Sequence, residues 1–160
     1  MASEVIIVPA EPEHIPSAQD IAIAAWTPIR EVFRRELGDS IYEAAFDGWQ
    51  DSKKRAVSTE LSSGRGYVSL LDGKVVGFIS YRINEKGIGV IGNNAVDPAA
   101  RGHGIGTKQY EFVLNKMREE GCKFACVQTG GDDGHAPARK AYEKAGFHKF
   151  LPSVMYYQEL

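Results

Sequence analysis

Three glycines at alternate positions, Gly102, Gly104 and Gly106, stand between a β-type run and a helix-type run. The junction reads Asp97-Pro98-Ala99-Ala100-Arg101-Gly102-His103-Gly104-Ile105-Gly106-Thr107. Before it, Ile88–Val96 reads as a strand that stops at Asp97-Pro98, a turn signal. After it, Tyr110, Val113, Leu114 and Met117 fall at i, i+3, i+4 and i+7, one face of a helix. A strand that enters a helix through glycines gathers bare amide N–H groups and a helix N-terminus, with a partial charge of about +0.5, in one place. Arg101 adds a full positive charge and Thr107 a hydroxyl. Such a junction suits an anion, and a phosphate above all.

The same junction fixes part of the topology. Strand 88–96, helix 104–119 and a strand over Phe124–Thr129 form a βαβ unit, which implies a parallel pair with a right-handed crossover. Upstream, Tyr67–Leu71 and Lys74–Ile83 flank Asp72-Gly73, a two-residue hairpin signal. Val5–Pro9 reads as a first strand and Val154–Glu159 as a last one. Between the first strand and the hairpin the pattern is helical. Ser17-Ala18-Gln19-Asp20 resembles a capping box, Pro28 is expected to break or kink the helix, Ile29–Leu37 resumes it, and Gly48 weakens a further helix over Ile41–Leu61. Ala138, Ala141, Tyr142 and Ala145 repeat the helical spacing before Gly146, a suitable cap. The expected fold is α/β (α+β): a single mixed, mostly antiparallel sheet of six to seven strands with helices on both faces.

Length and composition bound the function class. A chain of 160 residues fits a single domain over 1–160. Its 19 basic and 21 acidic residues give a net charge of −2, so no strong field favours nucleic acid. No apolar run approaches the ~18 residues of a membrane span, and Val5–Val8 lacks the basic flank of a signal peptide. Cys122 and Cys126 read as part of one strand segment, about 13 Å apart, too far for a disulfide. A reducing cytoplasm is the expected compartment.

Two nucleotide loops fit the glycines poorly. G-x-x-x-x-G-K-[ST] is absent, and Gly102, Gly104 and Gly106 form G-x-G-x-G rather than G-x-G-x-x-G. There is no G-x-S-x-G elbow of a hydrolase. Asp132-Asp133-Gly134-His135 reads as a turn and helix cap, and no metal is expected there.

Arg101-Gly102-His103-Gly104-Ile105-Gly106 resembles the R/Q-x-x-G-x-G/A loop of the GNAT superfamily of acyl-CoA N-acyltransferases. Val96-Asp97-Pro98 resembles the V-x-P that ends the family's fourth strand. The segment from His135 to Phe147 is similar to the family's N-x-x-A-x-x-x-Y-x-x-x-G-F. The resemblance is sharp over about residues 88–147 and topological elsewhere. It implies an N-acetyltransferase that passes the acetyl group of acetyl-CoA to a primary amine of a small molecule or peptide, by direct attack in a ternary complex. Arg101, Gly102, His103, Gly104, Ile105, Gly106 and Thr107 would hold the pyrophosphate of coenzyme A. Asn94, Ala95 and Val96 would run along the pantetheine arm, in a gap between strands 88–96 and 124–129. Tyr142 would be the general acid that meets the departing thiolate, although its face, shared with Ala138, Ala141 and Ala145, suits a core tyrosine as well.

His135 stands where the family usually has Asn, and it can hydrogen-bond the arm, cap the helix or serve as a base. Glu43, Asp47 and Glu85, or water held by Asn93 and Asn94, are candidates for the base. Trp26, Ile29, Arg30, Phe33, Tyr42, Phe46 and Trp49 mark the acceptor side or a helix–helix core, and an inward Arg30 would favour an acceptor bearing a carboxylate or phosphate. The alternatives are a non-catalytic acyl-CoA-binding or sensing domain and a nucleotide-using enzyme. A last strand at a sheet edge leaves a homodimer open.

Overall fold

Hydrophobic alternation and one well-placed turn organise the sheet. In the computed structural model, which describes residues 3–160, the strands are β1 (Ile6–Pro9), β2 (Gly66–Leu71), β3 (Lys74–Ile83), β4 (Gly89–Val96) and β5 (Ala125–Cys126). They lie in the order β1-β2-β3-β4-β5, antiparallel except for the parallel pair β4–β5. Asp72 and Gly73 join β2 to β3 with φ of 50° and 76°, the two positive values that this tight hairpin turn demands. The helices are α1 (Ile15–Leu37), α2 (Asp39–Phe46), α3 (Trp49–Leu61), α4 (Ile105–Glu119) and α5 (Ala136–Lys144). Among the described residues no helix is long and apolar enough to cross a membrane.

Each face of the sheet carries its own helices. Val68 and Phe78 pack with Ala18, Ile21 and Ala22 of α1 and Val57 and Leu61 of α3. Their neighbours Tyr67 and Ile79 point the other way and pack with Tyr110, Val113 and Met117 of α4 and Tyr142 of α5. This is the period-two alternation of a sheet covered on both sides.

Several local expectations change. Pro28 lies inside α1 and does not end it. Its missing N–H would have bonded to the carbonyl of Ala24, and both residues are on the exposed side, where water replaces that bond. The start of α1 is set earlier than Ser17, by a short 3₁₀ turn in which the Glu11 N–H donates to His14 Nδ1 at 3.0 Å. Gly48, at φ 70°, divides the helical stretch after Ser40 into α2 and α3. Cys122 lies ahead of β5, and both cysteines are free.

The sheet has five strands, not six or seven. Residues 154–159 form no strand, and Phe150, Leu151, Val154, Met155 and Tyr156 are exposed. β5 runs for only two residues, so it offers the end of the chain almost no edge to pair with.

One irregularity positions everything that follows. Ile79 of β3 pairs with Asn94 of β4 and Tyr81 with Ile91, so Gly92 and Asn93 together oppose Ser80. This β-bulge re-aims the side chains after it: Ile91 and Asn94 face α4 and α5, and Asn93 faces α3.

Candidate active site

The glycine junction takes the form its residues imply. The carboxylate of Asp97 accepts from the Ala99 N–H at 3.0 Å and opens a 3₁₀ turn over Pro98–Ala100. Gly102 (φ 84°) and Gly104 (φ 70°) then turn the chain through the left-handed region into α4, which has no side-chain cap. Among the described residues, no amide N–H from Arg101 through Thr107 has a protein acceptor. The His103 ring turns back onto the carbonyls of Ala100 and Arg101, at 3.1 Å each, and so leaves those amides open. Arg101, Gly102, His103 and Gly104 are exposed, whereas Ile105 is buried and anchors the helix start. Unpaired N–H groups at a helix N-terminus make an anion site without any further device.

Next to this loop β4 parts from β5. Their pairing covers only Gly89 with Ala125 and Val90 with Cys126, so the rest of β4 has an open edge on that side. Asp97 donates its N–H toward β3, to the carbonyl of Val76 at 2.8 Å. By the alternation of an antiparallel ladder, Val96 turns its own N–H toward the open edge.

Tyr142 meets this edge through Asn94. The Asn94 Nδ2 donates to the Tyr142 hydroxyl at 3.1 Å and to the Gly92 carbonyl at 3.0 Å, and its Oδ1 accepts from the Tyr110 hydroxyl at 3.0 Å. A carbonyl can only accept, so Gly92 fixes which way the amide faces. The Tyr142 oxygen therefore takes a hydrogen bond and its own proton stays uncommitted. Burial raises the pKa of Tyr142, with the hydrogen bond from Asn94 working the other way, and the phenol is protonated at neutral pH.

A second polar group fills the bulge from the α3 side. Glu60 accepts from the Asn93 N–H at 2.8 Å, from Asn93 Nδ2 at 2.7 Å, and from the hydroxyl of Ser80. The remaining Asn93 oxygen accepts from Lys53 Nζ at 2.8 Å, and Lys53 also lies over the ring of Trp26 at 3.9 Å. Sequence reasoning missed Lys53, Glu60 and Tyr110. The signal for the first two is that Lys53, Val57, Glu60 and Leu61 share one helical stripe, which puts two charges on the apolar face of α3.

Burial, then the charge of Arg30, lowers the Lys53 pKa from 10.5 to about 8, against the pull of Glu60. The folded chain therefore gives up this proton between about pH 8 and 10.5, where the unfolded chain keeps it. Folding bears the full cost of the charge below about pH 8, and that cost fades as the pH rises to 10.5. Lys53→Met should lack this dependence. Its stability relative to the parent, followed by thermal unfolding, should fall steadily from pH 8 to 10.5; a difference flat in pH would mean the charge carries no such burden.

Of the residues expected on the acceptor side or in a helix–helix core, Arg30, Phe33, Tyr42, Phe46 and Trp49 come together. Phe33 lies 5.4 Å from Phe46, and Tyr42 lies 5.5 Å from Phe46, between ring centroids. Arg30 points into this cluster, with its guanidinium carbon 4.7 Å from the centre of Phe46. Ile29 packs beneath Gly134, where an added Cβ would come within 3.2 Å of its Cα. His135 does not cap α5 with its side chain. Its Nδ1 meets Asp132 Oδ2 at 2.6 Å, and its ring lies 6.0 Å from Phe33, beside the aromatic cluster. Of the base candidates, Glu43 is exposed and tied to Arg34 at 3.4 Å, and Asp47 and Glu85 are exposed. A cavity of about 580 Å³ lies elsewhere, lined by Arg65, Tyr81, Lys116 and Glu120, and there Arg65 and Glu120 already satisfy one another at 2.7 Å.

Comparison with known proteins identifies the family and the fold. The profile of the Acetyltransferase (GNAT) family matches residues 26–147. The mycothiol acetyltransferase of Thermomonospora curvata is 32% identical over 85 residues, 53% of this chain and 28% of that protein. N-alpha-acetyltransferase 30 of Saccharomyces cerevisiae is 35% identical over 69 residues, 43% of this chain and 38% of that one. The chain thus spans well under half the length of these curated relatives. The PaiA N-acetyltransferase of Thermoplasma acidophilum, solved in complex with coenzyme A, superposes with a TM-score of 0.69 over 91% of this chain and 90% of that one, at 14% identity. With the profile covering most of its length and the fold shared, the chain belongs to the GNAT family of acetyltransferases.

Proposed function

We propose that the chain is an acetyl-CoA-dependent N-acetyltransferase that acts as a single domain on a primary amine. The observation that carries this reading is the unbroken run of open amides from Arg101 through Thr107, set beside the parted edge of β4. The diphosphate of the donor rests on those amides, near Arg101. Its arm follows Asn94, Ala95 and Val96 in place of the missing β5 partner. The neutral amine attacks the thioester carbonyl carbon, so the C–N bond forms as the C–S bond breaks. The Val96 N–H receives the negative charge that builds on the carbonyl oxygen, as an oxyanion donor does. Sulfur leaves with the bonding pair and takes the proton of Tyr142, whose raised pKa keeps that proton in place until then. The nitrogen sheds its extra proton to water, and the Tyr142 phenolate regains one from water, which leaves a neutral amide, the free thiol and the phenol restored.

Two measurements test this. Coenzyme A and acetyl-CoA should raise the melting temperature, and ATP and NAD should not, since a ligand stabilises the folded state by RT ln(1 + [L]/Kd). An amine panel with acetyl-CoA should release free thiol above the hydrolysis background. A matching loss is expected for Gly104→Val. A β-branched residue at φ 70° costs ~1–2 kcal/mol, so the loop should leave this path and its amides lose their common aim, and coenzyme A affinity should fall roughly tenfold. Stabilisation by ATP instead of coenzyme A would overturn the reading.

A further inference from the structure

Two cations on the acceptor side form no salt bridge among the described residues, although Glu60 lies near enough to Lys53 to favour its charge. Arg30 leaves α1 between three aromatic rings, with its guanidinium carbon 4.7 Å from the centre of Phe46 and 5.3 Å from those of Phe33 and Trp49. Its Nε is buried with no acceptor. One turn on, the exposed Arg34 is paired with Asp39 at 2.6 Å and with Glu43 at 3.4 Å. The chain therefore supplies acids to the wet arginine and none to the half-buried one. Lys53 is the second cation. Its hydrogen bond goes to a neutral amide, Asn93 Oδ1, and Glu60 fixes the direction of that amide by holding its Nδ2. Asn93 touches Lys53 and the next residue, Asn94, touches Tyr142, so a single step along β4 separates the Lys53 contact from the open edge.

A guanidinium held between rings has lost water without gaining a counter-charge, and its planar fork matches a carboxylate or a phosphate. We propose that Arg30 and Lys53 form an oxyanion subsite, which makes the acceptor an amine that also carries a carboxylate or a phosphate. This rests on the acetyltransferase reading and narrows its substrate class. The aromatic rings act as walls that keep the two positive groups apart and in place. The anionic end of the acceptor bridges them, and its amine end is turned toward β4.

The test compares matched pairs of amines with acetyl-CoA, following thiol release: amino acids and dipeptides against their C-terminal amides, and aminoalkyl phosphates against the parent amino alcohols. The charged member of at least one pair should have a kcat/KM roughly 10–100-fold above its neutral partner, the range of a hydrogen-bonded charge pair. Arg30→Gln and Lys53→Met should each lower kcat/KM for the charged member about tenfold or more, mainly through KM, and leave the neutral member and coenzyme A binding nearly unchanged. Arg30→Lys, which keeps the charge but loses the fork, should fall between. In the unaltered protein a carboxylate without an amine should inhibit competitively against the acceptor, and its amide should not, a result that needs no variant to fold. Equal rates for the two members of every pair, or equal losses for both in Arg30→Gln, would overturn the subsite and leave the acetyltransferase intact. No thiol release with any amine would instead overturn the reading beneath it.

Discussion

Tyr142→Phe is expected to lower kcat by roughly 10²–10⁴-fold, the usual contribution of a positioned acid, and to leave coenzyme A binding nearly unchanged. The expectation follows from one hydrogen bond. Asn94 donates to the Tyr142 oxygen, so the phenol has no call on its own proton from the protein side. Removing the hydroxyl takes away the only proton that the Asn94–Tyr110–Tyr142 group holds free. The structural loss is small by comparison. Asn94 Nδ2 keeps the Gly92 carbonyl at 3.0 Å, and the Phe ring keeps its contacts with Tyr110, 5.1 Å away, and Phe147. Steady-state kinetics alongside isothermal titration with coenzyme A separates the two effects. Unchanged turnover would make Tyr142 a packing residue that shares a face with Ala138, Ala141 and Ala145. A variant that binds the donor without turnover, from a parent that is itself inactive, would favour the non-catalytic acyl-CoA-binding alternative.

How far the sequence could be read depended on how local each cause was. The turn at Asp72-Gly73 follows from two residues that accept positive φ, and the open junction at 101–107 follows from its glycines and the helix behind them. Both are written in consecutive residues, and so is the helical spacing that carries Tyr142. The bulge at Gly92-Asn93 is different. It exists because Ser80 on another strand faces two residues instead of one, and because Glu60 on a distant helix fills the space. Two consecutive asparagines pointed to a polar duty there, but not that the duty was divided between the two faces of the sheet. Glu60 and Lys53 are ordinary helix formers, and only their place on the stripe of Val57 and Leu61 marks them. The segment Val154–Glu159 has the composition of a strand, yet composition cannot supply a partner, and β5 stops too soon to be one. Pro28 is expected to break or kink the helix, and it does not end α1 for a related reason: the cost of proline depends on whether the carbonyl it frees is dry, and Ala24 and Pro28 lie on the exposed side.

Gly92→Val should cause the largest loss of stability of any single change considered. A Cβ at this position would lie 2.3 Å from the Ser80 hydroxyl oxygen and 2.6 Å from Glu60 Oε2, well inside contact distance. Neither atom is free to retreat. Ser80 is buried in β3, and the Glu60 carboxylate holds the Asn93 N–H, the Asn93 amide and the Ser80 hydroxyl together. Moving the carboxylate strands those donors, at ~1–3 kcal/mol for each one left buried and unpaired, and the overpacking adds a further ~1–3 kcal/mol. A total near ~4 kcal/mol is a large share of the ~5–15 kcal/mol that keeps a domain folded, and corresponds to a fall in Tm of roughly 10 °C. Gly92→Ala places the same Cβ and should lose nearly as much. Joining it to Ser80→Ala removes one of the two clashes, so the double variant should be more stable than the sum of its parts predicts. Its activity should not recover in step. Asn94 reaches Tyr142 only because the bulge reverses the alternation of β4, and Glu60 would still press on the new methyl group. Thermal unfolding and turnover measured on the parent, Gly92→Val, Gly92→Ala, Ser80→Ala and the double variant decide the matter. A loss below about 1 kcal/mol in Gly92→Val, the size of an ordinary surface change, would show that the carboxylate does not hold the bulge open.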